Sequence, residues 1–203
     1  MKIRPGTFER VYAAIRDQLR RRQFRPGDRL EPAALADQLN ASVTPIRDAL
    51  HRLTGERLIE APRHDGFRVP LLSEARLRHL YAWHLDLLLL AVMRRRPVSV
   101  DPSQCPNDGD STSAHEQRRA MFEAIARSTG NPEHLFALES VAERLQPLKQ
   151  LEDLLLEEIE AETEAICAAL KLGDSRQLRN QLVSYHRRRE RIVPELLERL
   201  ERD

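Results

Sequence analysis

Two hydroxyl side chains near residue 43 are placed where they could bind a phosphate group. Ser42 and Thr44 stand at the start of a run of helical periodicity, and Pro45 can take the first position of that helix, where its missing N–H costs nothing. The free N–H groups and the dipole of a helix N-terminus favour an anion, and hydroxyl groups there can hydrogen-bond to it. The alternative is that Thr44 serves only as the N-cap of the helix.

A second candidate group surrounds Gly66. Arg63 and His64 precede this glycine, and their side chains could reach phosphate oxygens. The lack of a Cβ atom at Gly66 would let a phosphate-bearing backbone approach closely. The glycine could also be required for the positive φ of a turn, and the two roles are compatible.

Positive charge is concentrated in the first third of the chain. Residues 1–71 contain 14 Lys and Arg against nine Asp and Glu, a net charge of +5, whereas residues 72–203 contain 19 against 23, a net charge of −4. Nearly all of the 14 are Arg, whose planar guanidinium suits paired hydrogen bonds to phosphate or guanine. The asymmetry indicates a polyanion-binding segment joined to a body with another role. The alternative is a solvated, arginine-rich surface.

Three helices and a hairpin are predicted in the basic segment. The predicted helices span 7–22, 32–39 and 44–55, with Thr7 as the first N-cap, and the predicted strands span 58–61 and 66–69. Two short helices across a tight turn form a helix-turn-helix, and the added hairpin makes it a winged helix. In such a fold the third helix can enter the DNA major groove while the wing reaches phosphate or the minor groove.

The rest of the chain is predicted to be helical. A helix capped by Ser73 extends to about residue 96, and a loop rich in Pro, Ser, Asp and Gly follows at 97–114. Further helices are expected at 116–128, 132–146, 148–172 and 175–200, the last interrupted at Pro194. The expected fold class is mainly α, with a winged helix-turn-helix and a small β-wing in 1–71 and an all-α helical bundle in 72–203.

Several motifs resemble the GntR family of bacterial transcription regulators. They are Pro26-Gly27-Asp28-Arg29-Leu30, Leu35-Ala36-Asp37-Gln38-Leu39, Ser42-Val43-Thr44-Pro45-Ile46-Arg47-Asp48-Ala49-Leu50, Leu53 and Gly66-Phe67-Arg68-Val69. The resemblance covers residues 7–71 and implies a homodimeric repressor that binds a palindromic double-stranded DNA operator. The remainder resembles the FadR-like branch, whose ligand-binding bundle, the FCD domain, carries a Gly-Asn-Pro turn, here 130–132, and a Gly-Asp turn, here 173–174.

The family resemblance implies specific DNA contacts. Arg47 matches the contact arginine that the family keeps most regularly, although it could instead pair with Asp48 or Glu56 on the surface. Val43 stands where the family usually has an arginine, and its side chain could pack against a thymine methyl. The expected DNA-binding residues are Ser42, Val43, Thr44, Pro45, Arg47, Arg52, Arg63, His64 and Gly66.

Many members of the FadR-like branch hold a divalent metal with one Asp and three His. The corresponding positions here are Arg118, Phe122, Thr163 and Tyr185, with His186 one residue out of register. Arginine and phenylalanine cannot bind zinc or nickel, so neither a metal nor another cofactor is expected. Arg118 could instead bind a small anionic effector directly, with His84, Tyr185 and His186 as further candidates. The alternative is that Arg118 makes an ordinary salt bridge to a helical Glu.

Other protein classes are disfavoured. The longest apolar run, 85–93, is interrupted by Asp86 and is far shorter than the roughly 20 residues of a membrane span, so no membrane partner is expected. The N-terminus lacks the pattern of a secretory signal, which predicts a cytoplasmic protein. Cys105 and Cys167 form no CxxC pair, which argues against a disulfide scaffold or a cysteine zinc cluster.

An enzyme is not predicted. His115, Glu116 and His134 are candidate acid–base groups, but no nucleophile or paired carboxylate stands at a suitable spacing. The remaining alternative to an effector-responsive regulator is a helical adaptor or dimeric interaction protein that has lost its response to a ligand.

Overall fold

The computed structural model of the chain describes residues 6–63, 65–94 and 114–202. The chain divides into two compact units, Met1–Leu72 with Glu198–Asp203, and Ser73–Leu197. The described part is mainly helical, as predicted. Among the residues described, no helix is both long and apolar enough to span a bilayer.

Three helices build the core of the N-terminal unit. They are α1 (Thr7–Arg20), α2 (Pro32–Gln38) and α3 (Val43–Gly55), close to their predicted bounds. α3 packs against both α1 and α2. The core contains Val11 and Ile15 of α1, Leu35 of α2, and Ile46 and Leu50 of α3. These residues recur at helical spacing, so each helix turns one apolar face inward.

The start of α3 differs from its prediction. The helix begins at Val43 and its N-cap is Ser42, so the predicted N-cap role of Thr44 is wrong. Thr44 and Pro45 are the second and third residues of the helix. The first four N–H groups of a helix have no partner within it, so Pro45 is accommodated at the third position as well as at the first.

Two other predicted caps have different outcomes. Gly6, and not Thr7, is the N-cap of α1, which makes Thr7 the first helical residue. Ser73 does cap the helix that follows it, since its hydroxyl oxygen accepts a hydrogen bond of 3.2 Å from the N–H of Arg76.

The predicted β-wing is not confirmed as a pair of strands. In residues 6–63 and 65–94, extended pairing is limited to isolated antiparallel bridges of Arg68 with Arg29 and with Glu60. Glu60 and Arg68 exchange two backbone hydrogen bonds, of 2.8 and 2.9 Å. The next hydrogen-bonded pair of such a ladder would join residues 62 and 66, but Pro62 has no N–H to donate. The pairing therefore stops after one residue pair.

The C-terminal unit is a helical bundle. Its helices are α4 (Glu74–Arg94), α5 (Ala114–Arg127), α6 (Pro132–Leu145), α7 (Lys149–Leu155), α8 (Ile159–Leu172), α9 (Ser175–Arg191) and the first part of α10 (Val193–Arg202), with a 3-10 turn at Gln146–Leu148. α4 packs against α5, α6 and α9, and α8 packs against α5 and α9. Side chains of α4, α5, α8 and α9 therefore meet at the centre of the bundle.

The helix predicted at 148–172 is broken in the structure. α7 and α8 are separated by a short break, where Glu158 has a φ of 55°. A left-handed residue cannot continue a right-handed helix, which explains the break. The predicted interruption near Pro194 is confirmed, since α9 ends just before it. The predicted loop at 97–114 lies outside the described residues except for its last position, which opens α5.

Candidate nucleic-acid interface

α3 has one buried face and one exposed face. Ile46, Ala49, Leu50 and Leu53 are fully buried, whereas Val43, Thr44, Arg47, Asp48, His51 and Arg52 are exposed. Thr44, Arg47 and His51 follow one another at intervals of three and four residues, which aligns them in one row along the helix. Val43 is 40% exposed at the start of this face, where an apolar side chain can contact a thymine methyl.

The N-terminus of α3 is open. Ser42 has extended backbone angles, φ −76° and ψ 160°, and its hydroxyl makes no capping hydrogen bond. The first turn of the helix contains no acidic residue. The positive end of the helix dipole is therefore not neutralised locally. A phosphate oxygen can bind there and accept hydrogen bonds from the free N–H groups and from the hydroxyl groups of Ser42 and Thr44.

The turn before α3 is held by an arginine that the sequence analysis missed. Arg10 of α1 donates from Nη1 to the carbonyl of Leu39 at 2.9 Å and from Nη2 to the carbonyl of Asn40 at 3.3 Å. Asn40 has a φ of 47°, so the chain reverses at this residue. Both acceptors are backbone groups, so no side-chain motif in the sequence could have revealed the contact.

Arg52 makes its contacts within the N-terminal unit. Its guanidinium carbon lies 4.2 Å from the centroid of the Tyr12 ring, and its Nε lies 3.1 Å from Glu56 Oε1. The Tyr12 hydroxyl donates to Glu56 Oε2 at 2.7 Å. Burial raises the pKa of Tyr12, and the hydrogen bond and negative charge of Glu56 act in the same direction. Arg52 thus links α3 to α1, and its contact with DNA stays a prediction.

The residues predicted for the wing are only partly described. Arg63 is exposed, and His64 lies outside the described residues. Gly66 is exposed with a φ of 70°, and a Cβ added there would meet no atom within 4 Å. The glycine is therefore required for its backbone conformation. Beside it, Asp65 pairs with Arg29 at 2.5 Å and with Arg68 at 3.7 Å, which reduces the free positive charge at the base of the wing.

The residues predicted to bind an effector lie near the centre of the C-terminal unit. His84, Arg118 and Tyr185 line a cavity together with Phe122 and Lys149. His186 contacts the rings of His84 and Tyr185. The cavity volume is about 30 Å³, which accommodates about one or two water molecules. An organic effector would therefore require this space to widen.

The Arg118 side chain already has an acidic partner. The Arg118 side chain is 1% exposed. Its Nη2 lies 2.9 Å from Asp153 Oδ1, and its Nη1 donates to Thr163 Oγ1 at 3.3 Å. The Arg118 Nε is buried without a hydrogen-bond partner among the described residues. Arg118 therefore forms the salt bridge that the sequence analysis gave as the alternative to effector binding, but its partner is Asp153 and not a glutamate.

Two buried histidines next to the cavity form a hydrogen-bonded pair. The Nδ1 of His186 lies 2.7 Å from the carbonyl oxygen of Leu182, which can only accept, so this nitrogen carries the hydrogen. The Nε2 of a neutral His186 then accepts from His84 Nδ1 at 2.8 Å. Burial lowers the pKa of both histidines, that of His186 to about 3.

A buried ionic cluster joins α7, α8 and α9. Glu152 is fully buried and receives hydrogen bonds from Lys149 at 2.9 Å, from Arg189 at 3.1 Å and from the Tyr81 hydroxyl at 2.7 Å. Burial alone would raise the pKa of Glu152, but Lys149 and Arg189 outweigh it and lower the pKa to about 2. Arg189 also donates to Glu162 Oε1 at 2.9 Å. The sequence analysis did not identify this cluster.

The structure brings together the four positions that the sequence analysis compared with metal ligands, Arg118, Phe122, Thr163 and Tyr185. The side chains of Arg118 and Thr163 are hydrogen-bonded, and the rings of Phe122 and Tyr185 lie 5.2 Å apart. Among the residues described, no three His, Cys, Asp or Glu side chains form a group that could hold a metal ion.

The N-terminal unit matches a known family. Residues 7–69 match the family model of bacterial regulatory proteins, gntR family. The Nta operon transcriptional regulator of Aminobacter aminovorans is 43% identical over 58 residues, which are 29% of this chain and 28% of that protein. The HTH-type transcriptional regulator McbR of Escherichia coli (strain K12) is 33% identical over 78 residues, 38% of this chain and 35% of that protein. The chain thus aligns with about a third of each relative.

Solved structures share the fold over most of the chain. Escherichia coli McbR/YncC has a TM-score of 0.66 at 24% identity, covering 95% of this chain and 99% of that chain. A putative transcriptional regulator GntR from Rhodococcus sp. RHA1 has a TM-score of 0.71 at 18% identity, covering 93% and 97%. The two curated relatives and the Rhodococcus structure are all named as transcriptional regulators. On this evidence residues 7–69 are similar to the bacterial regulatory proteins of the gntR family, and the fold of most of the chain is shared with the two solved structures.

Proposed function

We propose that the chain is a sequence-specific DNA-binding repressor that acts as a homodimer in the cytoplasm on a palindromic operator. The observation that carries this proposal is the exposed row of Thr44, Arg47 and His51 on α3, opposite the face that packs into the core. A helix held in this way can lie in the major groove with its outer face toward the bases. The family match of residues 7–69 supports the same function.

Each predicted contact residue has a role in this proposal. Ser42 and Thr44 bind a phosphate at the open start of α3, and Pro45 shapes that start. Val43 contacts a thymine methyl, and Arg47 makes paired hydrogen bonds to guanine. Arg52 and Arg63 bind phosphates, and His64 and Gly66 contact the DNA backbone.

The C-terminal unit is proposed to be a FadR-like domain that dimerises and binds an effector. The two turns shared with that branch support this assignment, because Gly130 and Gly173 both have a φ of 69° and the next residues, Asn131 and Asp174, cap α6 and α9. A dimer would present two copies of α3 to half-sites about 10 base pairs apart or a multiple of that distance.

Selection of bound duplexes from a random DNA pool tests the regulator proposal. The full chain should enrich a palindromic sequence, and its affinity for that duplex should fall steeply as salt rises from about 50 mM to about 200 mM, because phosphate contacts release counterions. Enrichment of no sequence, together with no binding to any duplex at low salt, would refute it.

Arg118 and Lys149 line the cavity together with Glu123 and Glu139, and we propose that the two cations bind a small anionic effector. Such a ligand would compete with Asp153 for Arg118 and would widen the cavity. Thermal unfolding of the chain with a panel of small carboxylates and phosphates tests this, and a ligand that raises the midpoint should lose its effect in Arg118→Gln. If no anion raises the midpoint, the alternative of a regulator without ligand response is supported instead.

A further inference from the structure

His51 stands where α3 meets the segment that follows Gly66. Its ring centroid lies 5.0 Å from that of Phe67, with the two rings nearly perpendicular at 75°. Phe67 is itself anchored, because its carbonyl accepts a hydrogen bond of 2.8 Å from the N–H of Leu30 and its side chain packs against the core of the N-terminal unit. The exposed imidazole of His51 therefore rests on an ordered support.

The polar atoms of His51 remain available for a partner. The contact with Phe67 is a contact between rings, and within the described ranges the imidazole nitrogens of His51 make no hydrogen bond or ion pair. A neutral imidazole has one N–H donor and an imidazolium has two. His51 therefore presents at least one donor to solvent, one helical turn beyond Arg47 and on the same row.

We propose that His51 binds a DNA phosphate at the edge of the major groove, between the base-reading start of α3 and the wing. This inference rests on the proposed DNA-binding function. Residues at the start of a recognition helix meet base edges, whereas His51 lies in the second half of α3. A donor at that place meets the sugar-phosphate backbone that borders the groove. Phe67 acts as a positioning residue, because it holds the ring before DNA binds and so reduces the entropy lost on binding.

The test compares variants of the full chain on two duplexes, the one enriched by selection and a mixed-sequence duplex of equal length. His51→Ala should weaken binding to both by about tenfold, since a phosphate contact carries no sequence information. His51→Lys should recover the affinity, because lysine supplies a donor although it lacks the ring. His79→Ala is the matched control, an exposed histidine on α4, and should bind like the parent chain.

The outcomes separate this proposal from the function on which it rests. If the parent chain binds neither duplex, the DNA-binding function itself fails. If the parent chain binds and His51→Ala binds equally well, the His51 proposal is wrong. A selection with His51→Ala that enriches a different base at one position would show a base contact and would also overturn it. Loss of affinity that His51→Lys does not restore would indicate a packing role with Phe67 alone.

Discussion

His84 and His186 lie in direct contact, with His84 Nδ1 2.8 Å from His186 Nε2 and both rings buried in the C-terminal unit. His186 already donates from its other nitrogen to the carbonyl of Leu182. A proton added to His186 Nε2 would set two N–H donors against each other. The contact therefore requires a neutral His186, and burial lowers the pKa of both histidines.

This pair should make the stability of the protein depend on pH. Burial, with further contributions from Lys149 and Arg189, lowers the pKa of folded His186 to about 3, below the value of about 6.5 for an unfolded histidine. Between these values the unfolded chain binds a proton that the folded chain does not. The free energy of unfolding therefore has its full value above about pH 6.5. It falls as the pH decreases toward 3, by about 1.4 kcal/mol per pH unit for each such histidine.

Urea unfolding at several pH values between about 7 and about 5 measures this dependence. In the variant His84→Gln/His186→Gln the free energy of unfolding should vary much less over that range. His79→Gln, which changes an exposed histidine on α4, should keep the slope of the parent chain. An equal slope in the double variant and the parent would contradict the neutral pair.

Glu152 should be among the most sensitive positions for stability. Its replacement by Gln leaves Arg189 and Lys149 buried or half-buried without their shared carboxylate. Removing one partner of a buried ion pair lowers the free energy of unfolding by about 3–5 kcal/mol. Chemical denaturation measures the change, and Glu160→Gln, an exposed position on α8, should stay within about 0.5 kcal/mol of the parent. Equal stabilities of the two variants would speak against the ionic cluster.

Gly66 and Gly55 should respond in opposite ways to alanine. Gly66 has a φ of 70°, so Gly66→Ala should lower the free energy of unfolding by about 1 kcal/mol or more. Gly55 is the last residue of α3, and a Cβ there would meet nothing within 4 Å, so Gly55→Ala should be neutral or raise stability by up to about 1 kcal/mol. Thermal unfolding compares the two, and a stabilised Gly66→Ala would show that the turn does not require glycine.

Arg47 should contribute both affinity and sequence preference. Arg47→Ala should lower affinity for the selected duplex by about tenfold to a hundredfold, the effect of losing one bidentate base contact. Selection with this variant should show a relaxed preference at one position of each half-site. Arg179→Ala, an exposed arginine on α9, is the control and should not alter either property. A uniform loss on all sequences would make Arg47 a phosphate contact.

Most of the helical framework could be predicted because its signals are local. The apolar spacing in α1 and α3 and the proline near residue 194 act within a few neighbouring residues. The break at Glu158 carried no such signal, since nothing in the surrounding residue types requires a left-handed backbone there. The wing was over-predicted, because periodicity indicates extended chain but does not reveal how far a ladder continues past Pro62.

The amino-acid order by itself determined the helix-turn-helix, the basic charge of its unit and the side chains on the outer face of α3, because helical periodicity assigns each residue to a face. Only the tertiary structure decided which distant groups meet. His84 and His186 are 102 positions apart, and Arg10 reaches the turn before α3 across 30 residues. Such contacts depend on the angles and distances at which helices pack, and many residue patterns are compatible with the same packing.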